Sequence, residues 1–169
     1  MSVLDILTIP NERLKHKSTE VKYFDNKLEK LVNDMFDTLY ASGNGIGLAA
    51  PQVGIEKRIV VIDLKEEGNL TPITLINPKI ISSSKENLTN EEGCLSIPGY
   101  YAKIERPSEI NAEWQDIKGN TIKKKCVGLL SICVQHEIDH LDGILFIDYL
   151  SNLKRKRALE KVKKYQKNS

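Results

Sequence analysis

Between Asp25 and Gly43 the apolar residues Leu28, Leu31, Val32, Met35, Phe36, Leu39 and Tyr40 recur at three- and four-residue steps. That spacing lays one apolar stripe along an α-helix, and Gly43 supplies its C-terminal cap. Residues 44–54 are glycine-rich and apolar, and Arg58-Ile-Val-Val-Ile-Asp63 is a short β-branched run of the kind found in buried strands. Further strands are expected near Ile73–Ile81, where Pro78 implies an edge or a bulge, and at Tyr101–Arg106. Glu109–Gln115 and Thr121–Cys126 flank Asp116-Ile-Lys-Gly-Asn120, which reads as a hairpin turn. From Gly128 to Asp142 the period is helical again, with Leu129, Ile132, Cys133, His136 and His140 on one face and Gly143 closing the element. Ser151 can cap a final helix. The expected fold class is α+β: a central helix packed against short antiparallel β-sheets, with N-terminal and C-terminal helices, all in one domain.

Composition does not disturb this picture. The chain has 169 residues, 40% hydrophobic and 28% charged, as in an ordinary globular domain with its own core. The N-terminus lacks a basic segment, carries Asp5 and is interrupted by Pro10, so it is not read as a signal peptide. No run of roughly 20 apolar residues offers a membrane span, and a cytoplasmic protein is expected. Cys94, Cys126 and Cys133 form an odd set without a C-x-x-C pair, which argues against disulfides and zinc ribbons.

Charge adds one feature. The formal net charge is +2, yet residues 151–169 hold Lys154, Arg155, Lys156, Arg157, Lys161, Lys163, Lys164 and Lys167 against Glu160 alone. This basic C-terminal helical extension is either a solvated face or a surface for nucleic-acid phosphate.

The chemistry concentrates in His136-Glu137-Ile138-Asp139-His140. Two imidazoles four residues apart project from one side of a helix and can share a metal ion, with Glu137 beside the water that completes the shell. The third ligand must come from elsewhere. The metzincin extension requires a histidine where this chain has Phe146. His16 lies between Lys15 and Lys17 and reads as solvated, and the sole downstream glutamate, Glu160, sits in the lysine-rich tail. Cys94 is the better candidate, in Asn90-Glu-Glu-Gly-Cys-Leu-Ser-Ile-Pro98, a segment with turn residues on both sides that suits a ligand presented by a loop. Cys133, three residues before His136, is read as lining a pocket. The ligand set alone predicts zinc.

Gly45-Ile-Gly-Leu-Ala-Ala-Pro-Gln52, Glu92-Gly-Cys-Leu-Ser96 and Gln135-His-Glu-Ile-Asp-His140 resemble, in order and spacing, the three signature motifs of the peptide deformylases. The resemblance runs over nearly the whole chain. It implies that Cys94, His136 and His140 bind the metal with a water as fourth ligand, that Glu137 carries the proton, and that the Gln52 side-chain amide and the Leu95 backbone N–H stabilise the formyl oxygen. It places Ile46, Leu129, Ile132 and Cys133 around the methionine side chain of the substrate and Gly47 where the substrate backbone approaches. It makes residues 1–150 a catalytic domain that removes the formyl group from N-formyl-Met nascent peptides. It further implies native Fe2+, with Zn2+, Ni2+ or Co2+ able to substitute, a monomer in a bacterial cytoplasm, and ribosome docking through the basic C-terminal helix. Ser131 stands where alanine is common in the family, a minor packing change. Two other classes compete: a zinc endopeptidase-like metallohydrolase, which Phe146 disfavours, and a non-enzymatic RNA-binding protein with a structural metal, which has no need of Glu137 beside an open coordination position.

Overall fold

The computed structural model describes residues 2–168. Its elements run α1 (Asn26–Ala41), β1 (Gly47–Ala49), β2 (Ile59–Asp63), β3 (Pro72–Ser83), β4 (Asn87–Cys94), β5 (Ile97–Pro107), β6 (Glu109–Gln115), β7 (Thr121–Val127), α2 (Gly128–Leu141) and α3 (Asn152–Lys167), with 3-10 turns that include Ala50–Val53 and Phe146–Tyr149. Strands β1-β2-β3-β6-β7 form an antiparallel sheet in that order, and β4-β5 form a separate antiparallel hairpin. The architecture is α+β, as the sequence pattern implies.

The β2 run Ile-Val-Val-Ile is continuous because both faces of the strand are covered. Ile59 and Val61 pack with Leu28, Val32, Met35 and Leu39 of α1, whereas Val60 and Ile62 pack with Cys133, Val134, Ile138 and Leu141 of α2. Alternation along one strand thus feeds two cores. Helix α1 begins where the Asp25 side chain accepts from Leu28 N–H at 3.0 Å, a cap that satisfies an otherwise orphan donor. A third core joins Ile97 and Ile104 of β5 to Phe146, Ile147 and, from α3, Ala158 and Val162. The basic helix is therefore seated on the domain by its apolar stripe, with Ser151 as its N-cap.

Of the two settings expected for Pro78, β3 shows the bulge: it is an interior strand, and its register to β6 shifts between Ile76 and Lys79. Two expectations need adjustment. Cys94 is not on a free loop but is the last residue of β4, paired with Ile97 across the two-residue connection Leu95-Ser96. Ser131 is more than a packing change: its hydroxyl donates to Pro107 O at 3.1 Å and contacts Gln135 Nε2 at 2.9 Å, and Gln135 Nε2 also donates to Pro107 O at 2.9 Å. These bonds fix the first turns of α2 to the end of β5. No helix among the described residues is long and apolar enough to cross a membrane.

Candidate active site

Helix α2 is buried on nearly every side, and its inward residues divide by period. His136 and His140 fall one turn apart facing the β4-β5 hairpin, while Leu129, Cys133 and Glu137 follow the neighbouring row. The hairpin delivers Cys94 to this face: Cys94 Sγ lies 3.2 Å from His140 Nε2. Donor atoms of Cys94, His136 and His140 all fall within 4.8 Å of one another, close enough for one ion to reach all three. His16 is outside this cluster; it is exposed but not free, with Nδ1 2.7 Å from Glu56 Oε1.

Each ligand is oriented from behind. His136 Nδ1 is 2.8 Å from Glu92 Oε1, which leaves Nε2 for a metal. Glu92 in turn accepts two bonds from Arg106, at 2.6 Å from Nε and 3.0 Å from the second terminal nitrogen, and Arg106 also reaches Asp139 Oδ2 at 2.9 Å. Tyr149 completes the chain by donating to the same Asp139 oxygen at 2.8 Å, with its ring under the guanidinium. Burial opposes ionisation of Glu92, but the hydrogen bonds from His136 and Arg106 outweigh it and hold its carboxyl below the ordinary range.

The field at the cluster suits a cation. Burial drives His140 well below its usual pKa, so the ring keeps a lone pair to offer. Burial acts the same way on His136, yet the negative charges of Glu137, Cys94 and Glu92 pull it upward. What attracts a proton to His136 attracts a metal ion equally. A thiolate with two imidazoles, one of them buttressed by a carboxylate, fits a divalent transition metal.

Glu137 is buried, which raises its carboxyl to about 7. Its Oε2 lies 4.0 Å from His136 Nε2, and Oε1 has no protein partner among the described residues. Gly47 makes room for it. A Cβ at Gly47 would stand 2.6 Å from Glu137 Oε2 and 3.1 Å from Cys133 Sγ, so the glycine clears space for the carboxylate as much as for any substrate. Gln52 lies in the 3-10 turn after β1, fully buried. Its Oε1 accepts from Ala49 N–H at 2.9 Å, which turns Nε2 toward Ser96 Oγ (3.1 Å) and Cys94 Sγ (3.4 Å).

All of this opens on one cavity of about 640 Å³. Its lining includes Ile46, Gly47, Gln52, Cys94, Leu95, Leu129, Ile132, Cys133, His136 and Glu137, so every residue to which the resemblance assigns a part in the site borders it except His140, which is buried. The sequence reading missed the buttress. Glu92 stood inside a recognised motif without a role; Arg106, Asp139 and Tyr149 carry no local signal. It also missed Tyr165, which reaches the cavity from α3.

A Cys-His-His cluster backed by a helix, with a buried carboxylate beside it and a cavity in front, defines a mononuclear metallohydrolase. The sequence model of the family described as polypeptide deformylase matches residues 3–156. A peptide deformylase of Zymomonas mobilis is 49% identical over 99% of this chain and 97% of its own length. The crystal structure of peptide deformylase from Ehrlichia chaffeensis superposes with a TM-score of 0.94 at 46% identity, covering 99% of this chain and 98% of that one. A second structure from that organism, in complex with actinonin, gives 0.91 at 48% identity, covering 98% of each. The chain belongs to the polypeptide deformylase family. It is an enzyme of that family, a metal-dependent amide hydrolase that releases formate from the N-terminal formylmethionine of new polypeptides. Neither the endopeptidase nor the RNA-binding alternative finds support in these relatives.

Proposed function

We propose the following division of labour within that activity. Cys94, His136 and His140 hold one divalent ion, natively Fe2+, with Zn2+, Ni2+ or Co2+ able to replace it. When bound, such an ion brings the pKa of a coordinated water toward about 7 and so provides a nucleophile at neutral pH. Glu137 takes the proton of the attacking water on its carboxylate and hands it to the departing amine as the formyl C–N bond breaks; its buried position beside His136 and on the cavity wall suits both transfers. The Gln52 Nε2–H and the Leu95 backbone N–H stabilise the charge that grows on the formyl oxygen. Ile46, Leu129, Ile132 and Cys133 wall the methionine side chain, and Gly47 lets the substrate backbone approach.

The observation that carries this reading is the Gln52 amide, pinned by Ala49 N–H so that its NH2 group faces the metal-ligand cluster. Substituting Glu137→Ala and measuring both metal content and hydrolysis of a formyl-Met peptide tests it. Retained metal with lost turnover is expected; undiminished turnover would overturn it. Iron as the native metal predicts that an iron-loaded sample loses activity in air, and stable full activity under oxygen would refute that choice.

Residues 1–150 act as the catalytic unit and residues 151–169 as its basic extension, of a monomer working in a bacterial cytoplasm. The lysines of α3 stay exposed while Ala158 and Val162 are buried, which suits docking on ribosomal RNA. Replacing Lys156 and Lys163 by glutamate should weaken co-sedimentation with ribosomes and flatten its salt dependence; unaltered sedimentation would contradict the docking role.

A further inference from the structure

The two donors assigned to the formyl oxygen come from separate parts of the chain. Gln52 belongs to the 3-10 turn after β1, and Leu95 to the connection between β4 and β5. An oxyanion site works only when its donors stand preorganised at a fixed spacing, so the two parts must be held in register. The residue that follows Leu95 is placed to do this.

Ser96 is buried, as is Gln52, and its Oγ accepts from Gln52 Nε2 at 3.1 Å. The Gln52 amide is therefore held at both ends, by Ala49 N–H on Oε1 at 2.9 Å and by Ser96 Oγ on Nε2. An NH2 group has two hydrogens. One goes to Ser96, and the other is left on the side of Cys94 Sγ, 3.4 Å away, with Gln52 and Cys94 both bordering the cavity. The main chain reinforces this arrangement. Leu7 N–H donates to Gln52 O at 2.7 Å and Ile9 N–H to Ser96 O at 3.0 Å, so one short segment clasps the backbones of both residues. Ile9 is itself buried in the core with Ile97 and Phe146. Without the Ser96 hydroxyl, Gln52 would keep a single anchor and a buried N–H that has lost its acceptor, which costs free energy. Cys94 Sγ is the other acceptor within reach, and the amide would turn toward it.

We infer that Ser96 is a positioning residue for the reaction: it occupies one N–H of Gln52 so that the other stays at a fixed spacing from the Leu95 N–H, aimed at the formyl oxygen. This rests on the deformylase reading given above and on the part taken in it by Gln52. Ser96 acts only through Gln52, and the segment Leu7 to Ile9 keeps the two backbones close enough for the side-chain bond to form.

The test is a double-mutant cycle on the metal-loaded enzyme. Metal content, kcat and KM for formyl-Met-Ala-Ser are measured in the parent, Ser96→Ala, Gln52→Leu and the double variant. Ser96→Ala is expected to lower kcat by about three- to tenfold, the worth of one hydrogen bond, with KM and metal content within about twofold of the parent. In the Gln52→Leu background the same change should alter kcat by less than about twofold, because the group it positions is gone. Parental kcat in Ser96→Ala, or a loss confined to KM, would overturn the role. So would an equal loss in both backgrounds, which marks a residue that only supports the fold. Gln52→Leu with parental kcat would overturn the oxyanion assignment and Ser96 with it, and no hydrolysis by the parent would overturn the deformylase reading itself. Ser96→Thr and Ser96→Val are nearly one shape and differ in the hydroxyl, so they carry the comparison if the alanine protein does not fold. The threonine variant should then show a kcat about three- to tenfold above that of the valine variant, and equal values would refute the role.

Discussion

Arg106→Met removes the guanidinium that grips Glu92 inside the protein. The side chains are 5% and 3% exposed, joined by bonds of 2.6 and 3.0 Å. Without Arg106, Glu92 keeps only His136 as a partner, and water cannot reach it to compensate. Breaking a buried pair by deleting one member costs about 3–5 kcal/mol, mostly through the charge left behind. Asp139 loses a bond as well, but it is 18% exposed and retains the Tyr149 hydroxyl, so its share is small. For a chain of this length the expected loss corresponds to a fall in Tm on the order of 10 °C. Urea denaturation of chelator-treated protein measures the change without a contribution from metal binding. The double variant Arg106→Met with Glu92→Gln should recover at least half of the loss, because glutamine still accepts from His136 Nδ1–H and leaves no orphan charge. The reasoning fails if the single variant stays within about 1 kcal/mol of the parent, or if the double is no more stable than the single.

Three other outcomes are expected. Gly47→Ala pushes the Glu137 carboxylate off its position by way of a 2.6 Å contact and should lower kcat by about a hundredfold in a protein that still folds; a folded variant with parental kcat would contradict the steric account. Gln52→Leu should lose roughly a hundred- to a thousandfold in kcat, as for removal of one oxyanion donor, and a loss confined to KM would disprove that role. In chelator-treated protein the Glu137 carboxyl, raised from 4.5 to about 7 by burial, holds a proton in the folded state that the unfolded chain releases. Its contribution to stability is complete below about 4.5 and disappears as pH rises to about 7. Glu137→Gln should therefore flatten the decline across that window, and parallel stability curves for the two proteins would rule the shift out.

Helix α1, helix α2 and the β6-β7 hairpin were legible because each announces itself within a short window: a 3.6-residue period, two histidines at i and i+4, and Asp116-Ile-Lys-Gly-Asn120 between alternating runs. Strand β4 was not. Its sequence, Asn-Leu-Thr-Asn-Glu-Glu-Gly-Cys, is mostly polar and half exposed, so no apolar alternation marks it; pairing with β5 makes it a strand. The site divides in the same way. Motif residues could be named from spacing, whereas Arg106 joins Glu92, 14 positions away, to Asp139, 33 positions away. Contacts of that kind leave no periodic trace. The reason for Gly47 was also hidden, since only the folded chain shows Glu137 beside it.

Cys94 and Glu92 lie on a single hairpin, and His136 and His140 on a single helix. Two stiff parts thus carry the whole ligand set, and its one adjustable dimension is the gap between them, spanned by Arg106 from β5 to Asp139 of α2. An ion held by these three donors would sit between the jaws of a caliper, and one of slightly different radius would be met by a change in the gap and not by re-posing a ligand.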